Sequence, residues 1–333
     1  MKLAVLTSSY RCSAVPFKSL EPECKPGRYL PEHSFEHFSI LKATAVGQVN
    51  TVARQGFDVI VNLCDGAWDE DRAGIEVVRT LERARVAFTG AGSAFYDPSR
   101  LAMKMACHSV GVLFPAYAFV RDQVELGRVV SELRYPMIVK HPHSYSSIGL
   151  TRDSRVTEVD GLRREVARMV EAYGGALIEE YIEGREFSVL VTEPRDSTED
   201  AWALQPIEFL FPPGETFKHF DLKWRTFASM GASPVDDEAT AARLRETAVL
   251  IFTTMNGTGY GRCDLRMDAA GDIYVLEINP NCGIFYPEGQ YGSADFILAN
   301  DQAGHRHFLE HLLMCAARRR DRSSPPWEPR FRR

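Results

Sequence analysis

The chain has 333 residues, 45% hydrophobic and 25% charged, with 39 Lys and Arg against 45 Asp and Glu for a net charge of −6. This composition suits a folded globular protein of two or three subdomains and excludes a disordered chain, a membrane protein and a general nucleic-acid binder. Seven cysteines, odd in number and without a CxxC pair, offer neither a zinc ribbon nor a disulfide framework, so the protein reads as cytoplasmic.

The opening "MKLAVLTSS" holds an apolar run too short for a signal peptide, and it predicts a first strand. No run approaches the ~18 apolar residues of a membrane span. Helix-period residues 35–55, strand "FDVIVNL", helix 73–85 and strand "VAFTG" then alternate as in a parallel sheet with crossover helices. Residues 21–32, with three prolines and one glycine, are a loop inserted after the first strand, where open α/β sheets face their ligands. From residue 99 the pattern restarts: helix 100–110, strand "AYAFV", helix 123–133, strand "PMIVKH", a polar loop, helix 161–173 and strand "ALIEEYI". A third segment opens with "REFSVLVTE" and "AWALQPIEFLF", continues through helix 237–255 and a strand pair, and ends in helix 294–317. The expected domains are therefore 1–98, 99–183 and 184–315, followed by a basic, Pro-rich tail over 316–333 that reads as solvated chain. There is no internal repeat.

The strand pair carries the first chemical signal. If "GRCDLRMDAAGDIYVLEIN" turns at "AAGD" with Asp268 facing Ile273, then Asp264 lies opposite Glu277 and Arg262 opposite Asn279. One face then holds Cys263, Leu265, Met267, Tyr274, Leu276 and Ile278, and the other holds Arg262, Asp264, Glu277 and Asn279. Facing carboxylates repel by roughly 0.2–1 kcal/mol, more in a cleft, so a cation belongs between them. Two carboxylates and an amide oxygen suit Mg²⁺, with Mn²⁺ acceptable, and such a sparse set is normally completed by water and phosphates. The bland alternative is a wet hairpin face on which Arg262 neutralises the acids. His33 with His37, and His305 with His307, lack a Cys or carboxylate framework for zinc.

Arg-x-Asp facing Glu-x-Asn resembles the magnesium site of the ATP-grasp superfamily, and further segments are similar to its D-alanine:D-alanine ligase branch. These are "NLCDGAWDEDRAGIEVVRTLE" with "VAFTGAG", "MKMACHSVGVLFP", "PMIVKHPHSYSSIGL", "LIEEYIEGREFSV" and "FDLKW", in the family's order from about residue 57 to 283. The resemblance implies an α/β ATP-grasp fold, in which an N-terminal parallel-sheet domain precedes two subdomains that clamp ATP. It also implies an ATP-dependent ligase that joins a carboxylate to an amine through an acyl phosphate. A kinase on the same scaffold is the alternative. On this resemblance Lys104 and Lys140 bind phosphates, and Ser144, Ser146, Ser147 and Gly149 form a lid. Glu179 with the backbone of Tyr181 and Ile182 meets adenine, and Glu186 meets the ribose. Lys223 touches the γ-phosphate, Arg262 stabilises the transition state, and Asp264, Glu277 and Asn279 hold the metal. Family precedent further implies a homodimer acting on small molecules.

Four departures fall on the substrate side. "LTSSYRCSAV" lacks the family's ammonium-holding acid, for which Glu32 or Glu36 are candidate replacements. Trp224 stands where tyrosine is usual, Asp65 replaces a His, and the Ser-Leu pair after Gly283 gives way to "IFYPEGQYGSAD". Asp65, Asp69, Glu70 and Asp71 are either a pocket for a cationic substrate or a solvated loop, and Phe285, Tyr286 and Tyr291 are either pocket or core.

Overall fold

The computed structural model describes residues 1–323 except 12, 18, 69, 144, 145, 197, 198, 227 and 228. Cys12, Asp69, Ser144 and most of the basic tail therefore lie outside the described residues. Strands β1 (Lys2–Ser8), β2 (Ser34–Ile40) and β3 (Val59–Asn62) form a parallel sheet in the order β2-β1-β3, with helices α1 (Ala45–Ala53) and α2 (Ile75–Ala84) as crossovers. Residues 35–55 are thus not one helix. The aromatic pair Phe35 and Phe38 has helical spacing, but the segment instead adds to β1, from Lys2 against Ser34 to Ser8 against Ile40. "VAFTG" contributes only a bridge, Ile60 to Phe88.

Helix α3 (Arg100–Ser109) begins where the Ser99 hydroxyl accepts from the Ala102 N–H at 3.1 Å. It is followed by β4 (Tyr117–Val120), α4 (Gln123–Val129), β5 (Met137–Lys140), β6 (Arg155–Val156), α5 (Val159–Tyr173) and β7 (Ala176–Glu180). The four strands form an antiparallel sheet, β4-β7-β5-β6. Its buried side chains, including Met137, Val139 and Ile178, pack on Leu162, Val166 and Met169 of α5.

The remaining elements are β8 (Arg185–Thr192), β9 (Trp202–Ala203), β10 (Ile207–Leu210), α6 (Phe220–Trp224), β11 (Gly231–Pro234), α7 (Glu238–Thr254), β12 (Tyr260–Met267), β13 (Ile273–Pro280), α8 (Ser293–Asn300) and α9 (Gly304–Ser323). The order is β11-β10-β8-β12-β13, with β9 on β8. The single helix expected over 294–317 is two, because the Asp301 carboxylate turns the chain by accepting from Ala303 N–H at 2.8 Å and Gln205 N–H at 2.7 Å. Arg319 of α9 donates to the carbonyls of Phe88 and Gly90, so the start of the basic tail docks on the N-terminal sheet.

Candidate active site

The hairpin register holds where it matters: Asp264 faces Glu277 and Arg262 faces Asn279. Nearer the turn it is shifted by one, with Met267 against Ile273, and a bulge between Asp264 and Leu265 absorbs the difference. The bulge also reverses the expected faces around it. Ile273 and Val275 join the core with Cys263, Leu265 and Ile278, whereas Leu276 lines a cavity beside Glu277.

Around the two acids the charges are already paired. Arg262 grips Asp264 with two hydrogen bonds, both at 2.8 Å, and Arg100 of α3 donates to Glu277 at 2.9 Å. The Asn279 amide nitrogen donates to Asp264 at 3.0 Å and to Glu277 at 3.2 Å. Burial disfavours charge on both acids, but Arg262 and Arg100 outweigh it and hold both carboxyls below their ordinary values. Two ionised carboxylates are an oxygen pair that a hard divalent cation fits, and the Asn279 amide here turns its nitrogen, not its oxygen, toward them. Among the described residues no group of three or more His, Cys, Asp or Glu could hold a metal. The expected set has only two such residues, its third member being an amide. His37 lies in a strand, not a helix, and His305 is spent on Asp295 at 3.0 Å.

Lys104 and Lys140 meet on one carboxylate. Each ammonium lies 2.5 Å from a different oxygen of Glu179, which burial alone would neutralise but which the two cations hold well below the carboxylate range. Glu186 is similarly clasped by Lys218 at 3.0 Å and Arg266 at 2.9 Å. The Tyr181 N–H is used by the Pro136 carbonyl, and the Ile182 carbonyl accepts from Arg266 at 2.7 Å. Except for Lys104, which is not part of its wall, these side chains line a cavity of about 110 Å³ together with Leu276 and Glu277. It is covered by two loops that fasten to each other. The Ser147 hydroxyl donates to the Lys218 carbonyl at 2.8 Å and the Trp224 indole to the Ser146 carbonyl at 2.9 Å.

A second cavity, of about 570 Å³, adjoins the first, and Ser146, Lys223, Arg262 and Ser293 line both. Burial and the nearby Arg262 push the Lys223 ammonium down to about 8. Opposite them stands a buried guanidinium, Arg72, held by Asp65 at 2.6 Å and Glu70 at 2.7 Å, with Glu21 at 3.8 Å. Of the described acids of the acidic loop, Asp65 and Glu70 are turned inward onto Arg72, whereas Asp71 is exposed and accepts from the Ser13 hydroxyl and the Ala14 N–H, both at 2.6 Å. The Tyr286 hydroxyl donates to Glu21 at 2.5 Å, and burial followed by the charge of Asp65 pushes the Glu21 carboxyl up to about 7.

The family description "D-ala D-ala ligase C-terminus" matches residues 108–286. The chain belongs to this family. It is an ATP-dependent carboxylate–amine ligase of ATP-grasp fold. A D-alanine–D-alanine ligase of Bordetella petrii is 27% identical over 238 residues, 70% of this chain and 69% of the relative. The D-alanine–D-alanine ligase of Bacillus anthracis superposes with a TM-score of 0.71 at 15% identity, covering 97% of this chain and all of that one. The VanG D-Ala:D-Ser ligase of Enterococcus faecalis gives 0.67 at 14% identity, covering 95% and 99%.

Set beside the ligase family, the departures resolve unequally. Glu32 pairs with Arg306 on the surface and Glu36 lies exposed on β2, so neither reaches the cavity. The acid that does is Glu21, from the Pro-rich loop whose position after β1 pointed at a ligand. Gly283 lies against Tyr286: a Cβ there would stand 2.2 Å from the phenol oxygen. Tyr286 and Tyr291 line the cavity, whereas Phe285 is core. Sequence reasoning passed over Arg100, Lys218, Arg266 and Arg72. Only Arg100, four residues before Lys104 on one helix face, left a readable signal.

Proposed function

We propose that the smaller cavity takes Mg·ATP, that the larger takes the carboxylate and amine, and that three of the four side chains they share carry the reaction between them. The observation that supports this is the sharing itself: Ser146, Lys223 and Arg262 face both spaces. Lys104 and Lys140 receive phosphate oxygens as they leave Glu179. Glu179 and Ile182 turn to the adenine edge, while the Tyr181 N–H stays in the sheet. Glu186 takes the ribose hydroxyls. Asp264, Glu277 and Asn279 would hold the divalent cation, which when bound supplies positive charge against the phosphate oxygens. A cavity of about 110 Å³ lies below the ~300 Å³ at which ligand pockets begin, so nucleotide entry parts the Ser147–Lys218 and Trp224–Ser146 fastenings.

The chemistry follows from placement. Lys223 neutralises the transferring phosphoryl group as a carboxylate oxygen attacks it, giving an acyl phosphate and ADP. The amine then attacks the acyl carbon, Arg262 stabilises the oxyanion, and phosphate leaves. The divergent residues, Glu21, Asp65, Trp224 and the loop after Gly283, read the substrates, which are amino acids or dipeptides in a compartment where thiols stay reduced. The test is an ADP-release screen over amino-acid pairs with product masses recorded. A condensed product without phosphate is expected. A phosphorylated acceptor would indicate a kinase, which nothing in the site favours, and no ADP with any pair would remove the reading.

A further inference from the structure

Two buried groups of the larger cavity have no task in the nucleotide chemistry, Glu21 and Tyr286. Each side chain is about nine-tenths buried, they share a 2.5 Å hydrogen bond, and they line the same space as Lys223, Arg262 and Gly283. Gly283 leaves the phenol oxygen uncovered, since any side chain there would collide with it. Across the cavity the aromatic side chain is Trp224, whose indole N–H only donates and is already given to Ser146. That side therefore offers an incoming ammonium no phenolic acceptor.

We propose that Tyr286, backed by Glu21, is the proton acceptor for the amine substrate; this rests on the ligase reading above. An amine that arrives as an ammonium has no lone pair with which to attack. Its nitrogen gives one proton to the Tyr286 oxygen while the phenol's own proton passes to the Glu21 carboxylate. The freed lone pair then forms the C–N bond to the acyl phosphate. The C–O bond to phosphate breaks, the phosphate leaves with the electron pair, and the second nitrogen proton departs on it. Glu21 faces Tyr286 from the loop after β13, Asp65 and Arg72 from the acidic loop, Lys223 from α6 and Cys24 on its own loop. Burial and Asp65 outweigh Arg72 and Lys223, which leaves a carboxyl near 7, suited to proton transfer at neutral pH.

The experiment compares wild type, Glu21→Gln and Tyr286→Phe with ATP and a panel of D- and L-amino acids, using either a second amino acid or hydroxylamine as nucleophile. Hydroxylamine is weakly basic and enters unprotonated. Dipeptide formation is expected to fall about 100-fold in each variant, chiefly in kcat, with the acid limb of its pH profile lost in Glu21→Gln. Hydroxamate formation is expected to fall far less. Wild-type kcat with the acid limb intact in Glu21→Gln would overturn the assignment. So would equal loss of hydroxamate and dipeptide in both variants, which would mark the pair as structural. A wild-type protein that yields neither ADP nor hydroxamate would instead remove the ligase reading and this assignment with it.

Discussion

The two cavities share four residues and differ in construction. The smaller cavity, about 110 Å³, carries most of its charged side chains on strands β5, β7, β8, β12 and β13, and each of its acids is paired with one or two bases. The other, about 570 Å³, is walled by the loop after β1, the acidic loop and the chain after Gly283, with three acids around one guanidinium. Regular backbone fixes where a charge points, whereas a loop can re-aim it without disturbing the fold. On the resemblance drawn from the sequence, the residues of the first cavity are those that match the family and the residues of the second are those that depart from it.

Substitutions that strike one cavity and spare the other sharpen this contrast. Glu277→Gln is expected to lower turnover or Mg·ATP affinity more than tenfold with the fold intact, read by ADP release and circular dichroism; wild-type activity would remove Glu277 from the metal. Gly283→Ala, which displaces Tyr286, is expected to cost about tenfold in kcat/KM for the amine while ATP binding by calorimetry is unchanged. If ATP affinity fell equally, the two cavities would not be separable.

The pH dependence separates them as well. Lys223, near 8 when folded against an ordinary 10.5, loses its proton first in the native state. Between those values the unfolded chain binds more protons, so stability rises with pH across the window and ATP affinity falls. Lys223→Met is expected to flatten both curves in denaturation and binding titrations. Glu21, near 7 against 4.5, behaves oppositely: the native state binds the extra proton, so stability falls as pH rises from 4.5 to 7. Glu21→Gln is then more stable than wild type at pH 8, an advantage that thermal melts should show vanishing below 4.5. The smallest effect belongs to Trp224→Phe, which removes one fastening worth about 1 kcal/mol that nucleotide entry must part, and is expected to lower the ATP Kd about fivefold in calorimetric titration.

What was legible in the sequence follows the same division. Period-two alternation on β12 and β13 placed Asp264 against Glu277 because pairing fixes the faces of a strand. The off-by-one at the turn went unseen because a bulge costs no residue type that a sequence advertises, and with it went Leu276. Glu21 was invisible for a different reason. It reaches the cavity across a loop, where neither periodicity nor spacing relates position in the chain to position in space. Arg72 received no reading of its own beside the acids of its loop, and only folding shows that Asp65 and Glu70 enclose it.

One arrangement on the nucleotide side has a further consequence. Lys104 and Lys140 rest on Glu179, Arg262 on Asp264, Arg100 on Glu277, and Lys218 with Arg266 on Glu186. Six cations thus rest on four carboxylates, and a nucleotide must trade places with internal counter-ions rather than fill an empty cradle, while meeting an excess of positive charge. Uptake of ATP should then weaken as ionic strength rises, because the surplus cations attract the phosphates and salt screens them. A lone orthophosphate, too small to compensate every pair it breaks, gains little by entering, so the resting enzyme keeps its own anions where stray ones would otherwise sit.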